Sequence, residues 1–186
     1  MAFDQRTDGP ANNPYSPLMG RTFVSIDDTT PISILDSTRQ PILGAWVARL
    51  IPGNGNWPSA GELDTVTYID GVLRLAPELR PVLLDGIDTA HAVALRDFDS
   101  PFVSLNDVRQ TTVLKEVESS AAREAFAVIL ELTYEAYYRA EAVLGVVRER
   151  TGFDIGRTVQ GVPLKPFDTD RLTRVSLLPN RYRSAS

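Results

Sequence analysis

The sequence predicts an all-α fold: a single helical domain of about five to six helices, with extended N- and C-terminal arms. Three observations predict it. Between residues 41 and 152 apolar residues recur at intervals of three and four. Pro, Gly and small polar residues interrupt that recurrence at intervals typical of helix lengths. Outside it, residues 1–40 and 153–186 are rich in Pro, Asn, Asp and Arg and hold no sustained period. The chain therefore divides into an N-terminal arm over 1–40, a helical domain over 41–152 and a basic C-terminal arm over 153–186. At 186 residues it is long enough for one domain with a core of its own.

The first arm carries Pro10, Pro14, Pro17 and Pro31. Its apolar residues, Phe3, Tyr15 and Phe23, suit an arm laid on a surface, and Thr22 to Ile26 also reads as a short strand. A disordered leader is the competing reading. From Pro41, Leu43, Val47, Leu50 and Ile51 fall at helical spacing until Pro52-Gly53-Asn54-Gly55 ends the run. Ser59 and Glu62 form a capping-box pair ahead of Leu63, Val66, Ile69, Val72 and Leu73. Pro77 suits the first turn of a third helix through Leu79, Leu83, Ile87, Ala90 and Ala94, with Pro81 and Gly86 as weak points. Ser104 and Asp107 are cap-like residues for a fourth helix carrying Leu105, Val108, Thr112 and Val117, ending near Ser119-Ser120.

Residues 121–139 give the strongest helical signal: Ala-rich, without Gly or Pro, with Ala122, Phe126, Ile129, Leu130, Thr133 and Tyr137 mainly along one side. This is the expected central helix. A shorter helix over 140–150 presents Val143, Leu144 and Val147 and stops at Gly152, which suits a left-handed C-cap. The tail then holds six basic against three acidic residues, +3, which leaves −8 for the remainder of a chain whose net charge is −5. Opposite polarity, with Arg171, Arg174 and Leu177 among its residues, fits an arm lying on an acidic surface of this chain or on a partner. A solvated, frayed tail is the alternative.

Composition excludes several functions. An excess of acidic over basic residues argues against a phosphate-backbone surface. Without cysteine there is no disulfide, thiolate metal site or cysteine nucleophile. No apolar run approaches the ~20 residues that span a bilayer, so no direct membrane insertion is expected. The N-terminus shows neither a secretory pattern nor a twin-arginine leader, which makes the cytoplasm the expected location over the periplasm.

The residues of chemistry are sparse. His91 is the only histidine, three positions after Asp88, and no second ligand lies at useful spacing. Asp85, Asp88, Asp97 and Asp99 read as solvated charges, since the Asp97–Pro101 run lacks the Gly and closing Glu of a calcium loop. Gly53-Asn54-Gly55 follows a helix and precedes no Gly-Lys-Ser/Thr, so it is not a phosphate cradle. We therefore expect no catalytic, cofactor-binding or metal residue here. What remains is aromatic. Trp57, in a Pro- and Gly-rich loop, reads either as a core residue or as a binding hot spot. Tyr134, Tyr137 and Tyr138 are mutual neighbours on one helix and form a single patch, suited to finishing a core or to an interface. Trp57, Tyr134, Tyr137, Tyr138, Phe23, Arg171, Arg174 and Leu177 are the candidate partner interface.

The order of short motifs adds a resemblance. Ala48-Arg49-Leu50-Ile51-Pro52-Gly53 is followed by Pro58-Ser59-Ala60-Gly61-Glu62-Leu63, then Tyr68-Ile69-Asp70, and later Phe126 and Glu131-Leu132-Thr133-Tyr134-Glu135-Ala136-Tyr137-Tyr138. Over about residues 41–145 this resembles the gluconate 2-dehydrogenase subunit 3 family, with Ala136 where that family often has Gly. The resemblance implies a non-catalytic small subunit of a hetero-oligomer. Its partner would be a large FAD-dependent oxidoreductase of the glucose-methanol-choline type, acting on a sugar, sugar acid or other alcohol. FAD and the catalytic base are expected in that partner, and this chain would stabilise it in a chaperone-like way by covering apolar surface. The competing readings are a free-standing helical scaffold and an enzyme with a carboxylate site in the helical body.

Overall fold

The computed structural model describes residues 31–154, and within them the chain forms six α-helices and three short 3₁₀ turns with no strand. The helices are α1 Arg39–Leu50, α2 Thr65–Leu75, α3 Arg80–Phe98, α4 Asp107–Ser119, α5 Arg123–Arg139 and α6 Glu141–Thr151. The all-α expectation holds. Helix α5 packs against α1, α2, α3, α4 and α6, which makes it the central helix that its Ala-rich, uninterrupted sequence predicts. The helical unit runs through Thr151, and Gly152, at φ +69°, opens a second unit of which residues 152–154 are described.

The starts of α1 and α4 have an identifiable side-chain cause. Asp36, ahead of α1, accepts from the backbone N–H groups of Thr38 and Arg39 at 2.9 Å each, so the first turn is capped two residues before the periodic apolar run begins. Ser59 and Glu62 do form a reciprocal capping box, but it closes a 3₁₀ turn, Ala60–Glu62, and α2 starts only at Thr65. Asn106 caps α4 by accepting from the Arg109 N–H at 3.0 Å. Ser104 and Asp107 therefore do not cap it: Ser104 ends a 3₁₀ turn and Asp107 is the first helical residue.

Pro81 and Gly86 do not break α3. Pro81 sits in its first turn, where a missing N–H loses nothing. Gly86 is buried where α3 meets α5, and a Cβ there would stand 2.3 Å from that of Ala125, so glycine sets how closely the two helices approach. The side chain of Arg80 closes the end of α2, its Nε donating to the Leu73 carbonyl at 2.6 Å and its Nη2 to that of Arg74 at 3.2 Å.

The core gathers Leu43, Trp46, Val47, Ile69, Leu73, Leu83, Ile87, Phe102, Val113, Val117, Ile129 and Leu132, all essentially without exposed surface. On α4 the inward face is Gln110, Val113, Leu114 and Val117, and not the Val108 and Thr112 of the sequence reading. Val108 is 76% exposed. Leu105 and Val117 are buried as expected, and the buried amide of Gln110 donates to the Phe102 carbonyl at 3.1 Å, which holds its side of α4 inward.

Candidate interface on the helical body

The apolar stripe of α2 contains a carboxylate. Asp70 lies four residues after Val66 and three before Leu73, and it is 1% exposed. A buried charge needs partners, and the chain before α1 brings them. The backbone N–H groups of Ile34 and Leu35 donate to Oδ1 at 2.8 Å each, and that of Ser33 to Oδ2 at 3.0 Å. Arg74 Nε stands 3.8 Å from the same carboxylate. Leu35 is thereby buried in the core and Ile32 and Ile34 pack against it. The sequence marked Tyr68-Ile69-Asp70 only as a motif; the signal for its role was an Asp on an otherwise apolar face.

The loop between α1 and α2 is closed by reciprocal bonds between Asn54 and Trp57, N–H to carbonyl at 2.9 and 3.1 Å. Gly55, at φ +59°, supplies the left-handed residue this turn requires. Gly53 approaches the backbone so closely that a Cβ there would meet the Ser59 nitrogen at 3.1 Å. The Gly53–Gly55 stretch is thus a structural turn. Trp57 is half-buried against the core, and the guanidinium of Arg150 from α6 stands 5.6 Å from its ring centre.

The tyrosines of α5 meet this loop. Tyr137 is 3% exposed and its hydroxyl donates to the Pro58 carbonyl at 3.0 Å, tying α5 to the turn. Burial, with a smaller contribution from Tyr138, raises its phenol above the ordinary tyrosine range. Tyr138 meets Tyr137 edge-on at 5.3 Å between ring centres and stacks on Tyr134 at 6.2 Å. Tyr134 and Tyr138 are 46% and 55% exposed. The three phenols form one patch with a division of labour: Tyr137 holds the fold and the other two face outward.

On its other flank α5 borders a cleft of about 340 Å³, between the starts of α2 and α6. Leu63, Asp64, Tyr68, Ala136, Arg139 and Glu141 are among its lining residues. The Tyr68 hydroxyl donates to Glu135 at 3.0 Å, and the Arg139 guanidinium lies 4.7 Å from the Tyr68 ring centre. The sequence reading missed this cleft, because its residues come from three helices and no local pattern joins them.

Three of the four candidate aspartates are engaged in structure. Asp88 binds Arg39 through two bonds, Nε to Oδ1 at 2.9 Å and Nη2 to Oδ2 at 2.6 Å, which joins α1 to α3. Asp97 pairs with Arg96, which also reaches Glu116 on α4, and the guanidinium holds the Asp97 carboxyl below its usual range. Asp99, at φ 48°, takes the left-handed position that ends α3. His91 is half-buried on α3 with Nδ1 unpartnered. Among the described residues no three His, Cys, Asp or Glu side chains gather to hold a metal, and no helix is long and apolar enough to cross a membrane. Phe23, Arg171, Arg174, Leu177 and the Thr22 to Ile26 stretch lie outside the described residues.

These features define a small helical protein whose outward surface offers aromatic rings and carboxylates over a core fixed by its own polar bonds. The chain belongs to the gluconate 2-dehydrogenase subunit 3 family, whose pattern it matches over residues 37–154. Membership implies a subunit of a multi-subunit dehydrogenase. No curated protein and no solved structure matches the chain.

Proposed function

We propose that this chain is a non-catalytic accessory subunit that binds and stabilises a large FAD-dependent oxidoreductase of the glucose-methanol-choline type. The complex would act on a sugar, a sugar acid or another alcohol, with the flavin and the catalytic base in the large chain. The observation that carries this reading is the family match, which spans all six helices.

The engagement of Asp88, Asp97 and Asp99 in ion pairs and a helix cap supports a supporting role over a carboxylate site. The rigid tyrosine and Trp57 region supports an interface, since ordered aromatic residues give large contact area for little lost side-chain freedom. A stable contact of this kind buries about 1,600 Å² in total and stabilises whichever chain is folded only when bound.

The test is co-expression with a large flavoprotein of this type from the same genome. The expected result is copurification of both chains with the yellow absorbance of bound flavin, and loss of solubility or dehydrogenase activity when the large chain is made alone. A large chain that folds, binds flavin and turns over equally well without this subunit would overturn the proposal and favour a free-standing scaffold.

A further inference from the structure

The exposed side of α5 and the cleft beside it form one acidic and aromatic face. Residues three and four apart on a helix are neighbours, so Glu131, Tyr134, Glu135 and Tyr138 outline a single surface quadrilateral. Two of its corners are the stacked, half-exposed tyrosines and two are carboxylates. Glu135 accepts from Tyr68, and Tyr68 lines the cleft, so the quadrilateral runs on into it without a break. Within the cleft Asp64 adds further negative charge, Glu141 is paired with Arg148 of its own helix, and the guanidinium of Arg139 lies against the Tyr68 ring. Asp64 precedes α2 without a side-chain cap bond, so its carboxylate is not committed to the helix start.

Resting on the accessory-subunit reading, we infer that this face receives a basic segment of the large flavoprotein chain. A Lys or Arg of that segment enters the cleft between Asp64 and Glu135, and an apolar or aromatic neighbour packs on Tyr134 and Tyr138. The charge selects the occupant. A second copy of this chain would set the same carboxylates against each other, and like charges juxtaposed at an interface disfavour that pairing. A basic segment meets complementary potential, which also speeds encounter.

The experiment measures binding of the full chain to the large flavoprotein with which it copurifies, at about 50 mM and about 500 mM salt, a range over which exposed charge interactions are strongly screened. Two variants probe the face independently: Tyr134→Ala with Tyr138→Ala, and Asp64→Lys with Glu131→Lys. Val108→Ser, on exposed surface of α4, is the control, and circular dichroism and melting verify that each variant is folded. The expected result is at least a ~10-fold weaker Kd for both double variants, a shallower salt dependence for the charge variant alone, and no change for the control. Wild-type binding with both double variants unchanged in affinity and salt dependence would overturn this inference and leave the accessory-subunit reading standing. Absence of any wild-type binding would overturn both.

Discussion

Asp70 shows how one side chain decides the path of the chain around it. Its carboxylate accepts three N–H groups from residues 33–35, more than 30 positions away, inside a helix face that is otherwise apolar. Asp70→Ala leaves those donors buried or half-buried without a partner, and we expect a loss of about 3 kcal/mol in urea unfolding. Asp70→Asn, which keeps one accepting oxygen, should lose less. Gly86 makes the opposite case, where the absence of atoms is the requirement. Gly86→Ala gains helix propensity of about 1 kcal/mol but drives a Cβ into Ala125, and overpacking of about 1–3 kcal/mol should win. Adding Ala125→Gly should restore part of the loss, which a double-mutant cycle measures. Tyr137 titrates with a sign that can be worked out. Its phenol is raised in the folded chain, so its contribution is complete below the unfolded value of about 10 and is lost as pH rises through the higher folded value. Absorbance titration should show one tyrosine ionising late, Tyr137→Phe should remove it, and the melting temperature of the wild type should fall over that alkaline window.

Among the elements, helices were legible wherever a local pattern decides structure. The central position of α5 follows from an Ala-rich stretch without breakers, and the ends of α1 and α6 from Pro52-Gly53 and Gly152. Misreadings arose at caps and helix faces where one particular hydrogen bond decides between neighbouring positions. The capping box at Ser59 and Glu62 is real but serves a 3₁₀ turn. Asn106 rather than Ser104 begins α4, and the Gln110 amide holds its side of that helix inward while Val108 faces out. Trp46, fully buried and 5.9 Å from Phe126, was absent from the expected core although it sits one position from Val47. Of the candidate interface, the tyrosine patch was legible because i, i+3 and i+4 spacing guarantees proximity, whereas the cleft was not, because it draws on α2, α5 and α6 at once. At the start of α1 the Asp36 cap carries its own pH dependence. The Arg39 N–H above all, with that of Thr38 and the Arg39 charge, outweighs desolvation and lowers its carboxyl. The associated stability is present above the unfolded value of about 3.8 and should disappear as pH falls through the folded one; Asp36→Ala should flatten that acid limb of the melting curve.

For the whole molecule, ion pairs among the described residues cross between helices: Arg39 with Asp88, Arg49 with Asp107, and Arg96 with Glu116. They join α1 to α3, α1 to α4 and α3 to α4, all with at least one partner well exposed, so they fix orientation more than they add stability. High salt should accordingly lower the melting temperature of the isolated subunit only slightly. Loss of affinity with salt in the complex, were it large, would then report on the contact between chains and not on unfolding of this one. The Asp70 bonds have a kinetic consequence. Because all three amides converge on one carboxylate, no single bond can open with profit while the others hold, and the segment leaves α2 as a unit. In deuterated water the amide hydrogens of Ser33, Ile34 and Leu35 should exchange at a common rate, slower than that of the neighbouring exposed Asp36 and Ser37, and in Asp70→Asn all three should accelerate together.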